Sequence, residues 1–164
     1  MVQVCFEAGI ARMVRQGNVQ EAASELGQRM TASSKASARQ KNLLAICRAE
    51  MGDFIGARDI LNETLSQAPQ DLRTLNNLGN VALLESKPIE ALELYRKASA
   101  RNLWAVEPRY NSCMAYLQLG QAEKALWALQ EYTLVARITL WGKVFFWGTL
   151  SALAIVLICA RLAH

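Results

Sequence analysis

The chain has 164 residues, of which 52% are hydrophobic, and a formal net charge of +4; the length suits one domain, and the apolar fraction exceeds that of an ordinary water-exposed one. Its single histidine is the last residue, His164, which excludes Ser-His, Cys-His and multi-histidine metal constellations, and neither phosphate-cradling pattern, G-x-x-x-x-G-K-[ST] or G-x-G-x-x-G, occurs. Residues 1–136 hold 15 basic against 14 acidic side chains, a net of +1, so the basic excess belongs to the C-terminal segment and no nucleic-acid partner is expected.

At the N-terminus, Met1 to Glu7 shows no basic region followed by an apolar core, so no secretory signal is expected. The chain then repeats itself. Gly17-Asn18-Val19-Gln20-Glu21-Ala22, Gly52-Asp53-Phe54-Ile55-Gly56-Ala57, Ser86-Lys87-Pro88-Ile89-Glu90-Ala91 and Gly120-Gln121-Ala122-Glu123-Lys124-Ala125 share a small residue, a turn and an alanine, with the alanines offset by 35, 34 and 34 residues. A period near 34 marks stacked helical hairpins. Glycine allows the positive φ that ends a first helix, and alanine lets two backbones approach. Four units are expected, over residues 3–36, 38–71, 72–105 and 106–137, forming a repeat domain over 1–136. The first is degenerate, with no closing proline, and Thr31 to Ser37 reads as a polar linker.

After Arg137 the chain is almost uncharged to Ala160, with Lys143 inside the run and Trp141, Trp147 and Arg161 near its ends. Residues 138–160 predict a transmembrane tail anchor, about 23 residues with interfacial aromatic and basic flanks, followed by a short basic tail over 161–164. The last helix is expected to run from about Ala122 through Arg137 into the membrane. Gly148 and Ala152 form a small-x-x-x-small pair that predicts homo- or hetero-association of that helix. The localisation that follows is a single-pass membrane protein with cytosolic repeats, in a bacterial inner membrane rather than a mitochondrial outer membrane.

Cys5, Cys47, Cys113 and Cys159 are far apart with no C-x-x-C spacing, so no metal or cofactor is expected. Buried thiols are the reading for Cys47 and Cys113. Trp127 is expected to pack in the core.

Asn76-Asn77-Leu78-Gly79-Asn80, followed by Ala91-Leu92-Glu93-Leu94-Tyr95-Arg96-Lys97-Ala98, resembles the tetratricopeptide repeat family: a leucine-glycine pair, a second-helix alanine, an aromatic four residues later and a further small residue. Leu44, Gly52, Phe54, Ala57 and Pro69 in the second unit, and Tyr116, Gly120, Ala125 and Leu129 in the fourth, extend the match. The resemblance implies an all-α solenoid that binds proteins without catalysis, its concave side lined by the first helix of each hairpin. Placed on this chain, the implied groove for a protein or peptide partner takes Arg39, Asn42 and Ile46 from the second unit; Arg73, Asn76, Asn77, Asn80 and Leu83 from the third; and Tyr110, Asn111, Met114 and Leu117 from the fourth. Carboxamides can both donate to and accept from a peptide backbone, which makes Asn76, Asn77, Asn80 and Asn111 the central subset. A groove that binds chaperone tails also needs lysines, and Asn76 stands where the first should be. The function implied is a scaffold or adaptor at the cytosolic face of a membrane. A bacterial envelope or secretion machine, a mitochondrial fission or import adaptor, and a permanent structural subunit of a membrane complex are its alternative settings.

Overall fold

The computed structural model describes residues 2–32 and 36–162, with side chains described over 6–31 and 36–147. Among these described residues eight helices follow one another: α1 (Val2–Arg15), α2 (Val19–Ala32), α3 (Ala38–Glu50), α4 (Phe54–Gln67), α5 (Leu72–Leu84), α6 (Pro88–Arg101), α7 (Glu107–Gln118) and α8 (Ala122–Leu162).

Local chemistry sets the starts of these helices. Ser37 closes a capping box on α3, its hydroxyl accepting from the Gln40 amide at 3.2 Å while Gln40 Oε1 accepts from the Ser37 amide at 2.9 Å. Asp53 accepts from the Gly56 amide at 2.9 Å to open α4, and proline sits in the first turn of both α6 and α7. The segment read as a linker is therefore partly structural, with Thr31 and Ala32 ending α2 and Ser37 beginning α3; residues 33–35 lie outside the described residues. The hairpin turns take a left-handed residue at Gly17 (φ 84°), Gly52 (φ 85°) and Gly120 (φ 70°), and Ser86 adopts φ 60° in the corresponding place.

The core is a chain of overlapping clusters. Ile10, Ala22, Leu26 and Cys47 join α1, α2 and α3; Ala45, Ala57, Leu61, Leu78 and Val81 join α3, α4 and α5; Ala82, Ala91, Tyr95 and Ala115 join α5, α6 and α7; Cys113, Ala125 and Ala128 join α7 and α8. Each helix thus packs on its neighbours in sequence, with α3 and α5, and α5 and α7, also side by side. The four signature alanines, Ala22, Ala57, Ala91 and Ala125, are all buried. Gly79 lets α6 come so near that an added Cβ would lie 2.4 Å from Tyr95 Cε1. Cys47 and Cys113 are buried free thiols, and burial pushes the Cys47 thiol up from its ordinary pKa.

Three expectations need correction. Among the described residues no helix is long and apolar enough to cross a membrane, which overturns the transmembrane tail anchor at 138–160 and the single-pass localisation built on it. The described apolar stretch, Ile138 to Trp147, is about 15 Å of helix with Lys143 inside it, half of what a hydrocarbon core takes; residues 148–160, with Gly148 and Ala152, lie outside the described side chains. The helix itself is continuous from Ala122 to Leu162. Trp127 is 57% exposed rather than in the core, because the alanines on either side of its turn, Ala125 and Ala128, take the face against α7.

Candidate functional site

The first helices of three successive hairpins, α3, α5 and α7, stand side by side, and the polar residues of the predicted groove meet across them. Asn42 of α3 is buried, donating from Nδ2 to Ala38 O (2.9 Å), Thr74 Oγ1 (3.0 Å) and Asp71 Oδ2 (3.3 Å). Its Oδ1 accepts from Asn77 Nδ2 at 2.8 Å. One repeat further along, Asn111 Nδ2 donates to Asn76 Oδ1 (3.0 Å) and Asn80 Oδ1 (2.9 Å), and Asn80 Oδ1 also accepts from the Tyr95 hydroxyl at 2.8 Å. Burial pushes that phenol well above its ordinary pKa, so it stays a donor.

The two cross-helix pairs, Asn42–Asn77 and Asn76–Asn111, share an offset of 35 residues. That spacing was visible in the sequence as one period plus one residue, and it is the signal that could have identified these amides as partners of each other. Part of their hydrogen-bonding capacity is therefore spent inside the protein. What remains without a partner among the described residues is Asn76 Nδ2, Asn80 Nδ2, Asn77 Oδ1 and Asn111 Oδ1.

Arg39, Asn42, Arg73, Asn76 and Asn77 converge on one cleft of about 310 Å³. Leu43, Ile46 and Leu72 give it an apolar wall, and Glu107 and Pro108 of α7 close one side; of these, sequence reasoning had placed Ile46 alone. Arg39 Nε lies 3.1 Å from Glu7 Oε2, so α1 partly neutralises it and clamps the start of α3. Arg73 is exposed and forms no ion pair among the described residues, which makes it the groove's available cation. Asn80 lies one turn further along α5, beside a smaller recess of about 80 Å³ shared with Ile46 and Val81. Tyr110 and Met114 do not line the main cleft. Tyr110 is 47% exposed and packs against Tyr132 of α8 with the rings tilted by 59° and their centroids 5.5 Å apart, and Met114 is 42% exposed.

No protein-family model matches the chain, and no curated protein matches it in sequence. Solved structures resemble it in fold. A thermophilic TPR protein of Thermus thermophilus, TTC0263, superposes with a TM-score of 0.70 at 13% identity, over 79% of this chain and 72% of that one. PilF of Pseudomonas aeruginosa gives 0.67 at 18%, over 81% and 60%, and MamA gives 0.63 at 15%, over 82% and 78%. The chain has a tetratricopeptide-like helical fold.

Proposed function

We propose that this chain is a non-catalytic interaction module that holds an extended segment of another protein along α3, α5 and α7. The observation that carries the reading is the convergence of Arg39, Asn42, Arg73, Asn76 and Asn77 on one cleft with an apolar wall. A peptide laid there finds three complementary chemistries. Leu43, Ile46 and Leu72 accept an aliphatic side chain; the unpartnered Nδ2 of Asn76 suits a backbone carbonyl and, beyond the cleft along α7, the Oδ1 of Asn111 a backbone amide, whatever the sequence; and Arg73 attracts a carboxylate. Asn42 and Asn77 act as the scaffold that fixes these groups, since their amides are tied to each other and to Thr74.

The test is selection of displayed random peptides on the full chain, with affinities of the enriched sequences measured against Arg73→Glu. Arg73 has no internal ion pair, so the variant should melt like the wild type while losing about tenfold or more in affinity, which is about 1.4 kcal/mol. Absence of enrichment, or enriched peptides that bind the variant unchanged, refutes the groove. A second reading, a permanent structural subunit, rests on a separate observation, the exposed apolar side chains along α8.

A further inference from the structure

Helix α8 outlasts the array it belongs to. Its 41 residues make a rod of about 60 Å, against about 18 Å for the 12 residues of α7 on which it packs. Ala125, Ala128 and Tyr132 take the face toward α7. On a different face, Trp127, Glu131, Leu134, Ile138, Trp141 and Phe145 recur at alternating spacings of 4 and 3 residues, the period that keeps one seam of a helix against a second helix over its length. Five of these six are apolar, and they are exposed at 57% (Trp127), 59% (Leu134), 46% (Ile138), 59% (Trp141) and 71% (Phe145). In sequence the spacing continues to Gly148 and Ala152.

At its proximal end the seam forms one wall of a cleft of about 390 Å³ between α6 and α8, where Trp127 and Glu131 share the lining with Ile89 and Leu92. One repeat earlier the same junction, between α4 and α6, is closed by Arg58, which donates to Glu85 Oε2 at 2.9 Å and Glu90 Oε1 at 2.8 Å. The residues 34 positions on are Leu92, Leu119 and Lys124, which cannot form that clamp. An apolar seam therefore runs into an open cleft.

We propose that this seam is the interface between two copies of the chain, with their α8 helices packed antiparallel and each helix extending toward the other's α6/α8 cleft. The sequence of the seam is self-complementary in that direction. A register placing Leu134 on the partner's Ile138 sets Trp127 against the partner's Phe145. It also sets Glu131 against the partner's Trp141, whose indole N–H can donate to the carboxylate. A parallel pair would instead bring Glu131 against Glu131, two like charges in an apolar layer. Three large aromatics and two aliphatics per helix, at the exposures above and doubled over two copies, provide on the order of 1,000 Å² of buried surface, enough for a specific association.

Sedimentation equilibrium of the full chain tests this. The wild type should show twice the monomer mass, and Leu134→Glu/Ile138→Glu should show the monomer mass with unchanged helicity. Trp141→Glu, lying beyond α7, should do the same if the double variant fails to fold, and Lys143→Glu, on the opposite face, should leave the dimer intact. Spin labels at Arg137, exposed on the flank of the seam at the centre of the register, should lie close in the pair and labels at Leu126 about 30 Å apart, whereas a parallel pair brings both sets close and overturns the arrangement. A monomeric wild type, or a dimer indifferent to the seam glutamates, refutes self-association and leaves the seam to a helix of another protein.

Discussion

At Gly79 the third hairpin closes around the ring of Tyr95, which is fully buried and donates its hydroxyl to Asn80. A methyl group there meets ring atoms that have nowhere to go. Gly79→Ala should therefore destabilise the fold by about 1–3 kcal/mol, despite alanine's better helix propensity, as a lowered thermal midpoint would show. The asparagines divide in the same residue-by-residue way. Asn77→Ala strands Asn42 Oδ1 in a buried position and should cost about 1–3 kcal/mol of stability, whereas Arg73→Glu leaves stability unchanged and acts on binding. If chemical denaturation ranked these two alike, the division between scaffold and contact residues would be wrong.

Between helices, the fold depends on how closely each pair can approach and on how it turns. Ala91 is fully buried where α5, α6 and α7 meet, while Glu93 two residues on is exposed. Ala91→Leu should cost about 1–3 kcal/mol by overpacking and Glu93→Leu little, a difference that thermal melts of the two variants resolve. The turn between α5 and α6 carries Ser86 at φ 60°, where the other three turns have glycine. Ser86→Gly should accordingly stabilise the chain by about 1 kcal/mol, read as a rise in denaturation midpoint.

Across the whole molecule, the Arg58 clamp ties the second hairpin to the third. Hydrogen bonding to the guanidinium is the main reason the Glu85 carboxyl is held below its ordinary pKa of 4.5, and Glu90 and Glu85 in turn hold Arg58 firmly protonated. A depressed carboxyl contributes stability that is complete above the unfolded-state value and is lost as pH falls through the folded-state value. The stability gap between wild type and Arg58→Met, measured by urea denaturation, should thus be open near neutrality and shrink below about pH 4. A gap that stayed constant down to acid would show that the clamp acts by packing alone. The next junction has no such clamp and opens instead into the cleft beside Trp127.

The hairpin array was legible in the sequence because its determinants are local and periodic. Positive φ at the turns and methyl-sized contacts at Ala57 and Ala91 restrict residue type so severely that the 34-residue spacing survives where other positions vary. Six of the predicted groove residues, Ile46 among them, reached one cleft for the same reason, since a fixed period fixes which first-helix positions align. What sequence did not decide is which polar groups remain available. Asn42, Asn76, Asn77, Asn80 and Asn111 look alike in a string of letters, and their mutual hydrogen bonds exist only once α3, α5 and α7 are side by side. The fate of Trp127 and the apolar face of α8 were likewise settled by packing. Hydrophobicity reports that a side chain gains from leaving water, but not which surface covers it, and here the two alanines took the face against α7 while the aromatics were left outside.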